Sequence, residues 1–277
     1  MPADVFRAKS VLITGASSGI GAELARQLAA SGARLTLAAR RRDRLEAVAR
    51  EIASAGHPSP RIVVADVTRD GDLEHAVAEA LGVHGALDLV IANAGFGVVG
   101  SFAKLSLEAY RRQFETNVFG LLRTAHAALP ALRASRGQLV LIGSVAGWVS
   151  TPGASAYAMS KFAVRALAQA IRPELALDGI RVTLISPGFV ASDFRRVDNQ
   201  GVVHGAATEP IPGWFVMPTS VAVRKILRAV ARGRREAVIT AHGKALVLLA
   251  RFAPWTLRLL ARRIARSRGA LRPEPGP

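Results

Sequence analysis

Short apolar runs alternate with longer amphipathic stretches along the first two-thirds of the chain. The apolar runs lack the polar alternation of a half-exposed strand, which predicts strands buried on both faces. The stretches between them repeat apolar residues three and four positions apart, as helices with one buried face do. Strands are predicted at Lys9–Thr14, Arg34–Ala39, Arg61–Asp66, Leu87–Ala92, Gln138–Ser144, Ile180–Ser186 and Glu236–Thr240, and helices at Ile20–Ser31, Asp43–Ala55, Asp70–Leu81, Leu107–Ser135 and Tyr157–Leu177.

This order of elements predicts an α/β fold. Strands that alternate with helices need crossover connections, which produce a parallel sheet with helices on both faces. We therefore expect a single doubly wound, Rossmann-type domain with a parallel sheet of about seven strands. The domain is predicted to occupy residues 1–243, and residues 244–277 are predicted to form a helical C-terminal extension.

Charge sets the C-terminal end apart from the rest. The 277 residues include 37 Lys and Arg against 20 Asp and Glu, a net charge of +17. The segment from Arg224 to Pro277 holds 14 basic and two acidic residues, so it carries +12 of that total. A hydrophobic fraction of 50% excludes a disordered chain. The absence of Cys excludes disulfides, thiolate metal sites and a Cys nucleophile.

The basic extension has helical periodicity. Apolar residues at Leu246, Leu249, Ala253, Leu257, Leu260 and Ile264 form one stripe, and Arg251, Arg258, Arg262 and Arg266 fall on the other side. Pro254 is expected to divide the segment into two helices. A basic amphipathic helix with Phe252 and Trp255 is typical of an anionic membrane surface. Docking on the body is the alternative, favoured for Leu246–Ala253, whereas membrane contact is favoured for Trp255–Arg268.

The N-terminal end does not predict a leader sequence. Residues 1–10 contain Asp4, Arg7 and Lys9, and the apolar run after them is short. The longest uncharged run, Gly137–Ser160, is broken by Gly, Ser and Pro152, so no spanning helix is predicted. We expect a cytoplasmic location, with possible peripheral contact at the inner face of a membrane.

A glycine-rich turn directly follows the first predicted strand. Residues 14–21 read TGASSGIG, and a helix is predicted from Ile20. Backbone N–H groups and the helix dipole at such a turn bind phosphate, and glycines allow its oxygens to come close. No Lys-Ser/Thr pair follows, which disfavours an ATP-hydrolysing loop. The residues predicted to contact a dinucleotide are Gly15, Ser17, Ser18, Gly19, Ile20 and Gly21; a tight turn without a ligand is the alternative.

Three arginines, Arg40, Arg41 and Arg42, follow the second predicted strand. In doubly wound folds this position meets the adenosine ribose, where an acid binds the 2′-OH of NAD and an Arg suits the 2′-phosphate of NADP. The position holds Arg40 and Arg41, and Asp43 comes only later. The sequence therefore favours NADP(H), with NAD(H) still possible, and Arg40 is the first candidate for the phosphate. Solvated charges in an Arg-rich chain are the alternative.

Three further residues suggest acid–base chemistry. Tyr157 and Lys161 are four positions apart on a predicted helix, so they share a face. A free phenol has a pKa of about 10, which a neighbouring ammonium lowers, and the phenol then becomes a usable general acid–base. Ser144 ends the fifth predicted strand, at the edge where doubly wound folds bind ligands. The Tyr and Lys pair alone is equally consistent with an ordinary helix surface, so the combination carries the prediction.

Together these motifs resemble those of the short-chain dehydrogenase/reductase family. The matches follow the family order over about residues 9–192: TGASSGIG at 14–21, Asp66-Val67, Asn93-Ala94-Gly95, Asn117, Ser144, YxxSK at 157–161 and Pro187-Gly188. The resemblance implies hydride transfer between NADP(H) and a carbonyl or secondary alcohol.

The resemblance also implies a role for each matching residue. Tyr157 would donate the proton, Lys161 would hold the nicotinamide ribose, and Ser144 would orient the carbonyl. Asn117 would interrupt its helix and hold a water that relays protons. The remaining implied cofactor contacts are Asp66 and Val67 at adenine, Asn93, Ala94 and Gly95 beside the central sheet, and Pro187, Gly188, Val190 and Ser192 near the nicotinamide. Asp66 as a helix cap and Asn93 as a brace are the alternatives.

The family places a mobile substrate lid at about residues 189–218. Phe189, Phe194, Trp214, Phe215 and Met217 lie in this segment. They favour an apolar substrate of the lipid, steroid or acyl type, although packing of the lid explains them equally well. The resemblance further implies a homodimer or homotetramer.

Three further expectations concern metal ions, a non-catalytic function and nucleic acid. The histidines lack metal-ligand spacing, so no metal site is predicted. A non-catalytic nucleotide sensor or scaffold on the same fold is the main alternative function. The basic tail allows nonspecific attraction to nucleic acid, but no recognition motif is present and no specific nucleic-acid partner is predicted.

Overall fold

The computed structural model describes residues 5–191 and 213–267, without the side chains of residue 214 and residues 264–267. The predictions for Ser192, for Phe194, for the side chains of Trp214, Ile264 and Arg266, and for residues 268–277 lie outside the described residues.

The described residues form seven strands and nine α-helices. The strands are β1 (Ser10–Thr14), β2 (Arg34–Ala39), β3 (Arg61–Val64), β4 (Leu89–Ala92), β5 (Gln138–Ile142), β6 (Arg181–Ser186) and β7 (Glu236–Val238). The helices are α1 (Gly19–Ala30), α2 (Arg42–Ser54), α3 (Asp72–His84), α4 (Leu107–Phe114), α5 (Gly120–Ser135), α6 (Ser155–Ala176), α7 (Thr219–Ala231), α8 (Ala241–Phe252) and α9 (Pro254–Ser267).

The strands form one parallel sheet in the order β3-β2-β1-β4-β5-β6-β7, which confirms the predicted doubly wound fold. Alternate side chains of β1 enter opposite cores: Ile13 packs with α1, α2 and α7, and Leu12 packs with α3, α5 and α6. The strand order reverses between β1 and β4. This reversal opens a crevice at the carboxyl ends of the strands, where such folds bind ligands.

The strands β3, β4, β5 and β7 are each two residues shorter than predicted, so Ser144 lies just after β5 and not at its end. Two helices differ more from the prediction. The helix predicted over Leu107–Ser135 is divided by a π-helical turn at Glu115–Phe119, which separates α4 from α5. Helix α7 was not predicted, although Ala222, Val223 and Ile226 show its buried spacing. Helix α7 directly follows the predicted lid at residues 189–218, and the irregular pattern of that segment does not indicate that a helix begins after it. In the described ranges, no helix combines the length and apolar character needed to cross a membrane.

Candidate active site

A cavity of about 750 Å³ lies at the carboxyl ends of the strands. It is lined by the turn after β1, by the segments after β2 to β6, and by residues of α6, α8 and α9. The predicted site residues that line it are Gly15, Ser17, Ser18, Gly19, Ile20, Arg40, Arg41, Asp66, Val67, Asn93, Ala94, Gly95, Ser144, Tyr157, Lys161, Pro187, Gly188 and Val190. Gly21 and Asn117 are not among the lining residues.

The glycine turn packs so closely on β4 that side chains would not fit. Gly15 has a positive φ of 65°, and a Cβ there would lie 2.7 Å from the Cα of Ala94. A Cβ on Gly21 would overlap the carbonyl oxygen of Gly15. The Asn93 amide donates to the carbonyl oxygens of Thr14 at 3.0 Å and Gly15 at 3.1 Å, which ties the turn to the end of β4. The turn therefore presents the N-terminus of α1 to the cavity as a cradle that suits a phosphate group.

Substitution at Gly21 tests this close packing. We expect Gly21→Ala to lower the free energy of unfolding by about 1–3 kcal/mol, because the added methyl group must displace backbone. Gly82→Ala is the matched control, since a Cβ there meets nothing within 4 Å. In the exposed interior of α3 that change should stabilise the protein by about 1 kcal/mol. Chemical denaturation measures both; equal effects of the two substitutions would contradict the packing.

Arg41 contacts the glycine turn and Arg40 does not. The Arg41 guanidinium donates to the hydroxyl oxygens of Ser17 at 3.1 Å and Ser18 at 2.9 Å. The Arg40 side chain is 66% exposed and lies 4.0 Å from a carboxylate oxygen of Asp66. Arg41, the second candidate from the sequence, therefore points into the corner of the cavity beside the turn.

Asp66 has a local structural role as well as a place in the cavity wall. One carboxylate oxygen accepts from the backbone N–H of Thr68 at 3.0 Å and from its hydroxyl at 2.8 Å. The backbone N–H of Asp66 in turn donates to Asp72 at 2.7 Å. These bonds stabilise the turn after β3. Because α3 begins at Asp72 with Gly71 as its N-cap, Asp66 does not cap a helix, and the helix-cap alternative is wrong.

Tyr157 and Lys161 face the cavity together from the first turns of α6. The Lys161 Nζ lies 5.9 Å from the centroid of the Tyr157 ring and donates to the carbonyl oxygen of Ile142 at 2.9 Å. Lys161 is only 5% exposed. Burial lowers the pKa of Lys161 from 10.5 to about 8, because the buried charged form loses hydration. The ammonium form still predominates at neutral pH, so a positive charge lies beside the phenol ring.

Ser144 is held in the cavity wall by a short turn. It lies two residues after β5 and caps a 3₁₀ turn at Val145–Gly147, where its Oγ accepts from the N–H of Ala146 at 3.1 Å. This bond uses a lone pair and leaves the hydroxyl hydrogen for another acceptor. The side chain can therefore donate a hydrogen bond into the cavity.

Asn117 lies in the π turn, behind the cavity wall. Its Oδ1 accepts from the N–H of Phe96 at 3.1 Å, and its Nδ2 donates to the carbonyl of Phe96 at 3.0 Å and to the hydroxyl of Ser160 at 3.1 Å. A Cβ on Gly95 would lie 3.0 Å from Asn117 Oδ1 and 3.8 Å from Lys161 Nζ. The Asn117 side chain thus ties the segment after β4 to α6, and the implied water remains a prediction.

A group of residues after β7 was not predicted from the sequence. His242 Nε2 accepts from the N–H of Phe189 at 3.1 Å, and its ring stacks on Phe189 and Phe215 with centroids 5.3 and 4.4 Å away. A Cβ on Gly188 would overlap Thr240 Oγ1 and His242 Nε2. Burial lowers the pKa of His242, which favours the neutral ring that can accept this bond. The start of α8 therefore fixes the predicted nicotinamide-side segment.

The far side of the cavity is apolar. Val145 and Val149, which follow β5, line this part of the cavity together with Leu246 of α8 and Leu257 of α9. Leu246, Leu257 and Leu260, three residues of the predicted tail stripe, thus line the cavity, whereas Leu249 is exposed and is not among the lining residues. In the described part of the chain, no group of three or more His, Asp or Glu residues could hold a metal ion.

Comparisons with known proteins agree with this arrangement. A family model described as short chain dehydrogenase matches residues 9–202. A Dictyostelium discoideum protein named dehydrogenase/reductase SDR family protein 7-like is 32% identical over 272 residues, which cover 96% of this chain and 84% of that protein. The 11-beta-hydroxysteroid dehydrogenase 1A of Arabidopsis thaliana is 39% identical over 186 residues, covering 67% of this chain and 53% of that protein.

A solved structure supports the same assignment. The alcohol dehydrogenase from the archaeon Thermococcus sibiricus, complexed with 5-hydroxy-NADP, superposes with a TM-score of 0.72 at 28% identity, covering 83% of this chain and 95% of that one. The family model spans well over half of the chain and includes the glycine turn, Ser144, Tyr157 and Lys161. We conclude that the chain belongs to the short-chain dehydrogenase/reductase family of oxidoreductases.

Proposed function

We propose that the protein transfers a hydride between NADP(H) and the carbonyl or secondary alcohol of an apolar substrate, with Tyr157 as the general acid–base. The observation that carries the proposal is the buried ammonium of Lys161 beside the Tyr157 ring, in the wall of a cavity large enough for a dinucleotide and a substrate. A nucleotide sensor or scaffold would not need a charge buried at this position, because burying an ammonium destabilises the fold.

The chain's own residues orient the substrate and move the proton. When bound, NADP(H) supplies or accepts the hydride. In the reducing direction, the phenol of Tyr157 donates its proton to the carbonyl oxygen as that oxygen gains negative charge. The Ser144 hydroxyl donates a hydrogen bond to the same oxygen. The positive charge of Lys161 stabilises the phenolate that remains, and the products are an alcohol and NADP⁺.

The residues around the glycine turn fit the cofactor. Gly15, Gly19 and Gly21 form the cradle for the pyrophosphate, and Asp66 and Val67 lie where adenine would pack. We assign the 2′-phosphate of NADP(H) chiefly to Arg41, because its guanidinium already lies on the hydroxyls of Ser17 and Ser18. Asn93, Ala94, Gly95, Pro187, Gly188 and Val190 line the rest of the proposed cofactor site.

Loss of Arg41 should change cofactor selectivity. We expect Arg41→Ala to raise the Kd for NADPH by about tenfold or more, because a charge-assisted contact to phosphate is worth about 1.5–3 kcal/mol. The Kd for NADH should change little, since NADH has no 2′-phosphate. Arg44→Ala, an exposed arginine on α2, is the matched control. Fluorescence titration with both nucleotides measures the effect; parallel losses for NADPH and NADH would contradict the assignment.

The proposed substrate is an apolar ketone or alcohol. Val145, Val149, Leu246 and Leu257 give the substrate side of the cavity few polar groups. A relative named for hydroxysteroid dehydrogenase activity supports the same substrate class. NADPH consumption with a panel of aliphatic, steroid and acyl ketones tests the proposal. Binding of NADPH without turnover of any member would favour the sensor or scaffold alternative.

The protein is further proposed to form a homodimer. Phe119, at the end of the π-helical turn before α5, and Met159 and Phe162 on α6 have exposed apolar side chains, which support the proposed pairing of two chains through α5 and α6. A mass of one chain in light scattering would contradict that homodimer.

A further inference from the structure

We propose that α8 and α9 form a docking face for an anionic lipid bilayer, placed so that an apolar substrate enters the cavity directly from the lipid. The substrate-entry part rests on the proposed function, whereas docking itself does not depend on catalysis. The face is named here the α8–α9 outer face, and consists of Leu248, Leu249, Phe252, Trp255, Leu259 and Leu260 with the basic residues Lys244, Arg251, Arg258, Arg262 and Arg263.

Large apolar side chains on the α8–α9 outer face are open to solvent. Phe252 is 74% exposed and Trp255 is 60% exposed, and they lie on either side of the break between the two helices. Leu248 precedes Phe252 by one helical turn and Leu259 follows Trp255 by another, so all four extend the same exposed region along the helix pair. Apolar patches of this kind mark interaction sites, because their exposure to water is unfavourable.

The charge of the α8–α9 outer face selects an anionic partner. Residues 241–267 contain no Asp or Glu. The five basic side chains of the face are exposed, and none of them forms an ion pair within the described residues. On the body, by contrast, Arg61 pairs with Glu79 and Arg133 with Asp178. An unpaired basic face with interspersed apolar side chains is the combination that binds an anionic bilayer surface.

Other partners fit the α8–α9 outer face less well. A second copy that paired through the same face would bring its five basic side chains against those of the first copy, with no Asp or Glu in residues 241–267 to offset them. Nucleic acid would satisfy the arginines but offers no apolar medium for Leu248 and Leu259. A bilayer with anionic headgroups satisfies the charges and buries the apolar side chains at once.

The position of Leu260 connects the face to the cavity. This residue is 48% exposed and also lines the cavity, so it lies at the cavity rim. Leu257 and Ala261, on the same helix, line the cavity with less exposure to solvent. An apolar path therefore leads from the exposed face past Leu260 to the proposed substrate side, and an apolar ketone could follow it without passing through water.

Vesicle binding of the full chain tests docking. The probes are vesicles of phosphatidylcholine alone and of phosphatidylcholine with phosphatidylglycerol. We expect at least about 100-fold stronger partitioning to the anionic vesicles at low salt, and a loss of that preference at high salt. Phe252→Ser and Trp255→Ser should each weaken partitioning by about tenfold. Deleting α9 would be less clear, because Leu257, Leu260 and Ala261 would leave the cavity wall as well.

A matched control separates docking from general hydrophobicity. Phe102 is 80% exposed on the body, so Phe102→Ser removes a similar side chain from another surface and should leave partitioning unchanged. Equal partitioning of wild type and the Phe252→Ser/Trp255→Ser double variant would overturn the proposal. Salt-sensitive binding to duplex DNA that exceeds vesicle binding would overturn it as well, and so would self-association in light scattering that the double variant abolishes.

Turnover separates this inference from the proposed function. The double variant should keep wild-type turnover of a water-soluble short ketone, because Phe252 and Trp255 do not line the cavity. Its turnover of a long-chain ketone carried in anionic vesicles should be about tenfold slower than that of the wild type. If the wild-type protein does not turn over the short ketone, the proposed function is contradicted and docking is not. If the double variant turns over the long-chain ketone as fast as the wild type, entry from the lipid is contradicted.

Discussion

Replacement of Tyr157 by Phe is expected to lower kcat by about 10²- to 10⁴-fold while NADPH binding is retained, because the variant keeps the ring but loses the proton that the proposed reaction transfers. The ring lies in the cavity wall beside Lys161, so its shape contributes to packing in both proteins. Steady-state turnover of a reactive ketone and fluorescence titration of NADPH measure the two quantities separately.

The chain supplies a matched control for this experiment. Its other tyrosine, Tyr110, shares a 2.6 Å hydrogen bond with Ser155 near the start of α6. Tyr110→Phe should cost about 1 kcal/mol of stability and leave kcat nearly unchanged. Unimpaired turnover by Tyr157→Phe, or equal losses in the two variants, would eliminate Tyr157 as the acid–base.

Replacement of Lys161 by Met should stabilise the protein relative to wild type, and this stabilisation should be larger at neutral pH than at alkaline pH. The pKa of Lys161 is about 8 in the folded protein, compared with 10.5 in an unfolded chain. Below pH 8 both states hold the proton, and the folded state carries the full cost of a buried charge. Between pH 8 and 10.5 the unfolded state binds more protons, so wild-type stability rises with pH in that window. The rise is expected to reach about 3 kcal/mol.

Urea denaturation across pH 7–10.5 measures this effect as the difference between wild type and Lys161→Met. The free energy of unfolding of the variant should exceed that of wild type by the largest amount at pH 7, and this difference should shrink as the pH approaches 10.5. Lys225→Met, on the exposed side of α7, is the control and should show a difference from wild type that does not change with pH. A constant difference for Lys161→Met would mean that its ammonium is not significantly desolvated.

The two predictions share a physical cause. A lysine buried to 5% exposure weakens the fold at the pH at which it is charged. The same burial brings the charge close to the phenol ring without competing water, where its effect on the phenolate is strongest. If Tyr157 is the acid–base, the buried charge of Lys161 lowers the stability of the fold and at the same time makes the phenol of Tyr157 more reactive.

The fold was predictable because its signals are local. Each strand is an apolar run, and β2 and β6 begin and end within a residue of their predicted limits. The glycine turn and Ser144 directly follow predicted strands, and Tyr157 and Lys161 begin the helix that comes next, so the sequence was enough to place them at one edge of a parallel sheet. No long-range information was required for these features.

Features that depend on tertiary contacts were not predictable. His242 meets Phe189 across 53 positions of sequence, and no periodicity signals that contact. Whether Arg40 or Arg41 reaches the glycine turn depends on the backbone direction after β2, since adjacent side chains point to different sides. The tail stripe was visible, but only packing decides that Leu257 lines the cavity while Leu249 is exposed.

Isotope transfer tests the central claim most directly. Wild-type protein is incubated with an apolar ketone and NADPH that carries deuterium at the transferable position of the nicotinamide, and the alcohol product is examined by mass spectrometry. The account predicts one deuterium on the carbinol carbon for each NADPH consumed, with the rate strongly reduced in Tyr157→Phe. NADPH that binds tightly but yields no labelled alcohol across the ketone panel, or label transfer that is equally fast without the Tyr157 hydroxyl, would contradict it.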